Sequence, residues 1–341
     1  MDKFFHVKFA SAAYRRRMRR VILSAALFLP TFAIMGAESA APAADLPPPW
    51  AFAVNPPDFK PPADDGSLRH VPDSSLAFTL TQVRDSFVSP DWHPEDHPPL
   101  PEVVAHGRKP GVLACGYCHR AEGTGGPENT SLAGLPAAYI IQQMADFKSG
   151  ARKTSVPQRG PPTAMIATAK AATLDEVEAA AAYFSRLKPK PIIRVIETNT
   201  VPKHRVFGWH MMPVAGGENE PIGQRILESP EDLEQFVSRD SRTHFVAYVP
   251  VGSIQKGRDL AITGGAGRTV QCTICHGPDL KGLGPIPPIA GRSPSYLVRQ
   301  LYDFKHGARA GLSSVLMKPT VEHLTIEDMI ALAAYAASLP P

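Results

Sequence analysis

The sequence predicts an all-α fold, with two tandem helical domains joined by a long, partly β insertion. Two observations predict it. The pattern Cys-x-x-Cys-His occurs twice, as Cys115-Gly-Tyr-Cys118-His119 and as Cys272-Thr-Ile-Cys275-His276, 157 residues apart. Each copy is followed by two segments whose apolar residues recur at helical spacing. The repeat extends well beyond the motifs. Tyr139-Ile-Ile-Gln-Gln-Met-Ala-Asp-Phe-Lys-Ser-Gly-Ala-Arg152 matches Tyr296-Leu-Val-Arg-Gln-Leu-Tyr-Asp-Phe-Lys-His-Gly-Ala-Arg309 at that offset, and Ala133-Gly134 matches Ala290-Gly291.

Further along, Thr173-Leu-Asp-Glu-Val-Glu-Ala-Ala-Ala-Ala-Tyr183 matches Thr325-Ile-Glu-Asp-Met-Ile-Ala-Leu-Ala-Ala-Tyr335, now at an offset of 152. A five-residue difference in the intervening loop accounts for the change. Both last segments open on Thr-x-x-acid, the pattern of a capping box. Each copy therefore reads as an independent small helical domain.

Cys-x-x-Cys-His is the attachment signature of a c-type haem. Two cysteines on one helical turn present both sulfurs to one porphyrin edge, and the next histidine reaches the iron from the same side. A redox dithiol or half of a zinc site would explain a single copy. Two copies that use all four cysteines of the chain favour two covalently bound haem c groups, each with its iron. A tetracysteine zinc site would leave His119 and His276 without a role. Cys115, Cys118, Cys272 and Cys275 are thus read as thioether attachments, and His119 and His276 as proximal iron ligands.

A second axial ligand is sought by the same symmetry. Met165 and Met317 differ by 152, the offset of the last helix, and each is expected in the loop just before it. Methionine opposite histidine raises the potential of a haem iron. Met144 and Met329 align with apolar helical positions and read as core, while Met211 and Met212 have no counterparts. The rival histidines are His70, His93, His97, His106, His204, His210, His244, His306 and His323, and none recurs at the repeat offset. Arg152, Arg292 and Arg309 read equally as partners of haem propionates or as surface charge.

Composition fixes the setting. The 341 residues include 36 prolines, about twice the usual share, so long stretches are neither helix nor strand. Residues 1–37 hold seven cations (Lys3, Lys8, Arg15, Arg16, Arg17, Arg19 and Arg20) against Asp2, followed by the apolar run Val21–Met35 and small residues. This reads as a secretory signal peptide, hence a periplasmic protein, with membrane association if the segment is not cleaved. Without residues 1–37 the formal net charge passes from +4 to −2, the wrong sign for a nucleic-acid partner.

The organisation expected is then residues 1–37 signal peptide, 38–100 Pro-rich extension, 101–190 first haem domain, 191–253 insertion and 254–341 second haem domain. The extension reads as an extended strap, with Phe78–Val88 able to dock. In the insertion, Pro191-Ile-Ile-Arg-Val-Ile and His244-Phe-Val-Ala-Tyr-Val read as strands, and Ser229-Pro-Glu-Asp as a helix start capped by Ser229.

The repeated blocks resemble the dihaem cytochromes of the c-four type, among the class I cytochromes c, over about 101–190 and 254–341. The second copy is the closer match, with Pro287, Ile289-Ala290-Gly291 and Met317 where that family has them. The resemblance implies cytochrome c-like helical domains that shuttle single electrons in the periplasm. It also implies that the Pro287 carbonyl receives the Nδ1–H of His276. Thr130 stands at the aligned position of the first copy, which predicts a different proximal environment and unequal potentials.

The function expected is electron transport in a respiratory chain, between a periplasmic dehydrogenase or membrane respiratory complex and a terminal oxidase or other acceptor. Two alternatives remain. One is a cytochrome subunit bound tightly to a dehydrogenase. The other is a dihaem peroxidase, which needs an iron able to open a coordination site beneath an acid–base group.

Overall fold

A computed structural model describes residues 46–341; the expected signal peptide lies outside the described residues. The extension is not a loose strap. Trp50, Ala51 and Phe52 are buried in the core of the second repeat, Ala53 is buried beside them, and Phe52 meets Tyr302 edge to face at 5.3 Å. Proline-rich chain needs few internal hydrogen bonds, so it runs extended and anchors through aromatic side chains. Beyond it, β1 (Leu68–Arg69) pairs with β2 (Phe78–Thr79), and Thr79 caps α1 (Leu80–Arg84). The predicted docking of Phe78–Val88 occurs: the Ser86 and Phe87 carbonyls accept from Ala114 and Gly107 N–H at 3.0 and 2.8 Å.

The first repeat comprises α2 (Glu102–Ala105), α3 (Cys115–His119), α4 (Ala137–Ser149), α5 (Gly160–Ala171) and α6 (Leu174–Arg186). Its core joins Val104, Val112, Ile140, Ala181 and Phe184. Thr173 and Glu176 close the expected capping box at the start of α6.

The insertion carries most of the strands among the described residues. It holds β3 (Ile193–Thr198), β4 (Thr200–Pro202), β5 (His204–Phe207), β6 (His210–Pro213), β7 (Asn219–Pro221), β8 (Leu227–Pro230), α7 (Leu233–Val237) and β9 (Phe245–Pro250). Both predicted strands form, and they pair with each other: β3 lies parallel to β9 in the register Ile193↔Phe245, and β8 adds antiparallel on the other side. The predicted helix start is displaced. Ser229 and Pro230 pair with Val246 and Phe245 in the sheet, so the helix begins later, with Asp232 accepting from Gln235 N–H. The two-residue turn Gly208-Trp209 between β5 and β6 has φ of +59° and +75°, as the twist of a tight hairpin requires.

The second repeat comprises α8 (Ser253–Thr263), α9 (Cys272–His276), α10 (Pro294–Lys305), α11 (Lys318–Val321) and α12 (Ile326–Ser338). Thr325 and Asp328 close the second capping box. The repeats are helical, as expected, but they are not independent bodies. The edges of the two copies meet at Arg152 and Arg309, where Lys153 N–H donates to Ala308 O and Ala310 N–H to Ala151 O, both at 2.7 Å.

Candidate haem sites

The two motif helices are built alike. Each is a single turn, α3 or α9, in which the histidine is buried. Gly125 N–H donates to His119 O at 3.0 Å, and Gly282 N–H to His276 O at 2.7 Å. The Gly123 carbonyl accepts from Leu132 and Ala133 N–H, and the Leu280 carbonyl from Ile289 and Ala290 N–H. These pairs keep the 157-residue offset, so the scaffold behind each histidine is the same hydrogen-bond pattern written twice.

That scaffold aims the imidazoles. His276 Nδ1 lies 2.8 Å from Pro287 O, and His119 Nδ1 lies 2.8 Å from Thr130 O. The departure at Thr130 therefore does not change the proximal partner, because the acceptor is a main-chain carbonyl that any residue supplies. Burial pushes both histidines below their ordinary range and favours the neutral ring. A neutral imidazole whose Nδ1–H is committed to a carbonyl keeps its Nε2 lone pair for a metal.

Burial pushes Cys115 up to about 12 and Cys272 up to about 11. A redox dithiol needs the opposite shift, so buried Cys115 and Cys272 do not favour that reading. The same thiols suit thioether attachment, which leaves no charge to solvate. Around the second motif, Ile274, Leu283, Leu312, Val315 and Leu316 are half or more exposed. An apolar rim beside two thiols, an aimed imidazole and a thioether fits a haem.

Met165 and Met317 are both half-buried, but their local structures differ. Met317 follows a 3-10 turn (Leu312–Leu316), heads α11 and packs against the second core. Met165 is not in a loop: it sits in the middle of α5. The reason is visible in the residues. Pro161 and Pro162 start α5 and an alanine-rich run continues it, whereas Pro319 beside Met317 blocks a helix from passing through.

Arg159 anchors the start of α5. It is fully buried, donating from Nε to Ala53 O at 3.2 Å and from Nη2 to Trp209 O at 3.0 Å. A Cβ on Gly160 would stand 2.7 Å from the Trp209 ring. The extension and the insertion thus jointly hold the segment that carries Met165, a role sequence reasoning missed.

The other methionines and four of the rival histidines have surroundings of their own. Met329 is core, as expected, whereas Met144 is only half-buried. Met212 is buried in β6 of the insertion and Met211 packs partly on the cores. His93 lies 3.1 Å from Asp240, His97 lies 3.1 Å from Asp91, and His204 bonds Ser229 at 2.9 Å. His210 packs edge to face on Phe236 at 4.7 Å.

Arg152, Arg292 and Arg309 are not surface charges: all three are buried between the repeats. Arg152 donates to Gln143, Tyr296 and Gln300 at 2.8, 3.1 and 3.0 Å. Arg309 mirrors it with Gln300, Tyr139 and Gln143 at 3.0, 2.7 and 2.8 Å. Arg292 spans to Ser131 and Ala133.

Comparison with known proteins agrees with this geometry. The cytochrome c family model matches residues 104–188. Cytochrome c-554(548) of Halomonas halodenitrificans is 40% identical over 68 residues, 20% of this chain and 82% of that protein. The chain belongs to the cytochrome c family. Over its greater length this cytochrome is similar to dihaem relatives. The thiosulfate dehydrogenase electron acceptor of Thiomonas intermedia is 26% identical over 236 residues, covering 68% of this chain and 81% of that one. Cytochrome c4 of Azotobacter vinelandii is 26% identical over 234 residues, covering 67% and 85%. The cytochrome is of the dihaem c4-like class, carries two covalently bound haem c groups and relays electrons.

Proposed function

We propose that this cytochrome is a periplasmic carrier that takes single electrons from a dehydrogenase acting on a reduced sulfur compound and passes them to a terminal acceptor. In this reading Cys115 and Cys118 hold the first haem and Cys272 and Cys275 the second. His119 and Met165 would hold one iron, and His276 and Met317 the other. The bound haem supplies an iron that exchanges one electron between ferric and ferrous states. The chain supplies everything else. The carbonyls of Thr130 and Pro287 hold each imidazole by its Nδ1–H, which fixes ring orientation and ligand basicity. The two methionines offer soft sulfur that favours the ferrous state.

The observation that carries the relay is the interlocked pair Arg152 and Arg309, which ties α4 to α10 and brings the two repeats edge to edge. A fixed join of this kind keeps the distance between the sites constant, as electron passage within one chain requires. The relatives named for thiosulfate oxidation, and a cytochrome subunit of sulfide dehydrogenase from Chlorobaculum tepidum, 35% identical over 71 residues, support the class of donor. The basic, apolar and small-residue stretches of 1–37 support export. A methionine at the same sequence offset in both repeats supports a carrier rather than a peroxidase.

The test is direct. Ferric protein is mixed with a thiosulfate dehydrogenase and thiosulfate, and the visible spectrum is followed. Reduction of both haems at a rate that rises with dehydrogenase concentration is expected. No reduction by the dehydrogenase, with normal reduction by dithionite, overturns the assignment of donor.

A further inference from the structure

Arg120, directly after His119, occupies a backbone conformation that almost only glycine adopts, with φ 68° and ψ 157°. Its counterpart 157 residues on is Gly277, at φ 85° and ψ 160°. The fold therefore asks for glycine at both places, and the second repeat supplies it. The first repeat carries an arginine there despite the strain.

The side chain is no better placed for stability. Arg120 is 2% exposed, and its Nη1 has no hydrogen-bond partner among the described residues. Its guanidinium lies over the Phe236 ring of α7 at 5.9 Å. A buried guanidinium without a paired carboxylate costs stability. Glu128 and Asp240 on one side and Arg239 on the other are the charges that act on it. Two separate costs, one in the backbone and one in desolvation, meet at a residue adjacent to an iron ligand.

Among the other cations, Arg292 and Arg299 stand where the first repeat has Leu135 and Gln142, and they donate to Ser131, Ala133 and Pro127 carbonyls of the first repeat. Arg152 and Arg309 are matched across the repeats, so they bear on both sites alike. Among the described residues, the first motif itself carries a further pair: buried Arg120 directly after it, and Arg239 stacked on Tyr117 at 3.8 Å and donating to its hydroxyl at 2.8 Å. In the second motif these positions are Gly277 and an Ile274 that is 62% exposed.

We propose that Arg120 sets the potential of the first haem, its buried fixed charge making that haem the easier of the two to reduce. Reduction adds one electron and lowers the positive charge at the iron by one. A cation held in a medium that screens poorly therefore favours the ferrous state. Arginine suits the role because it stays protonated at any working pH. The inference rests on the reading that Cys115, Cys118 and His119 hold a haem.

Potentiometric titration of the purified dihaem protein separates charge from strain. Arg120→Gln keeps the backbone strain and removes the charge, Arg120→Lys keeps both, and Arg120→Gly removes both. Expected for Arg120→Gln and Arg120→Gly is that one of the two Nernstian components becomes about tenfold harder to reduce while the other stays put. Arg120→Lys retains the wild-type pair of potentials. Arg120→Gly should also keep or raise the melting temperature, which no purely structural arginine would allow.

Unchanged potentials in Arg120→Gln overturn the proposal, as does an Arg120→Lys that falls as far as Arg120→Gln. An Arg120→Gly that loses stability makes the residue structural and overturns it too. Haem content measured by pyridine haemochrome distinguishes failure of the underlying reading: fewer than two haems in the wild type removes the first site itself.

Discussion

Glycine is decisive where backbones touch, and Gly257 shows how much rides on one hydrogen atom. A Cβ there would stand 1.9 Å from the Ala331 carbonyl oxygen, so α8 approaches α12 only because position 257 has no side chain. Gly257→Ala should destabilise the second repeat by about 1–3 kcal/mol, read as a lower denaturant midpoint with an unchanged spectrum of the first haem. The proximal histidines lie at the other extreme of legibility. Their motif is local, and its chemistry can be read from five residues. What could not be read is Arg120, because its cost lies in φ, ψ and burial. The clue was present in the sequence as arginine matched by Gly277, yet only the structure shows that position to be one where arginine is strained.

Elements were legible where local pattern decides and illegible where partners decide. The capping boxes at Thr173 and Thr325 form as written, since their hydrogen bonds close within one turn. The strand expected over His244–Val249 also forms, as β9 (Phe245–Pro250), because its apolar run is long enough to be buried on both faces. Ser229-Pro-Glu-Asp failed as a helix start because pairing with β9 captures Ser229 and Pro230 first. Met165 moved from loop to helix because alanine propensity outweighed repeat symmetry.

The extension and the insertion clasp each other over the first repeat, and this contact was invisible in a proline-rich composition. Trp92 Nε1–H donates to Ser238 O at 2.7 Å, and Arg242 Nε–H donates to Asp96 at 2.8 Å. The Arg242 hydrogen bond, against a smaller cost of burial and with help from Lys190, holds the Asp96 carboxyl down to about 2. A depressed carboxyl contributes stability above its unfolded value and loses it as pH falls toward the folded one. Asp96 is partly exposed, so the contribution is about 1 kcal/mol or less. Asp96→Asn should therefore melt lower than wild type at pH 6, with the gap closing between pH 4 and 2. A gap that persists at pH 2 would contradict the pairing.

At the scale of the molecule, the repeat predicted two similar halves, and the structure shows how they become one. Each half presents the same helix, α4 or α10, with a tyrosine and a glutamine that accept from the arginine of the other half. Repeat alignment revealed every one of these residues but not that they meet, because a sequence match says nothing about which faces pair. Arg152 and Arg309 are buried and donate to tyrosine and glutamine oxygens of the other half, so their removal leaves those oxygens unpaired. Replacing both by glutamine should split one cooperative thermal transition into two. A single transition at the wild-type temperature would show that the arginines do not join the halves.

The central claim is two haems, each held by histidine on one side and methionine on the other. The optical spectrum of the purified protein, ferric and ferrous, with and without carbon monoxide, tests it most directly. Two covalent haems per chain are expected, with a far-red sulfur-to-iron band in the ferric form that halves in Met165→Ala and again in Met317→Ala, and no carbon monoxide binding by the wild type. Carbon monoxide binding at one haem, or a high-spin ferric fraction in the wild type, would contradict it, removing a methionine from the iron and bringing the peroxidase reading forward.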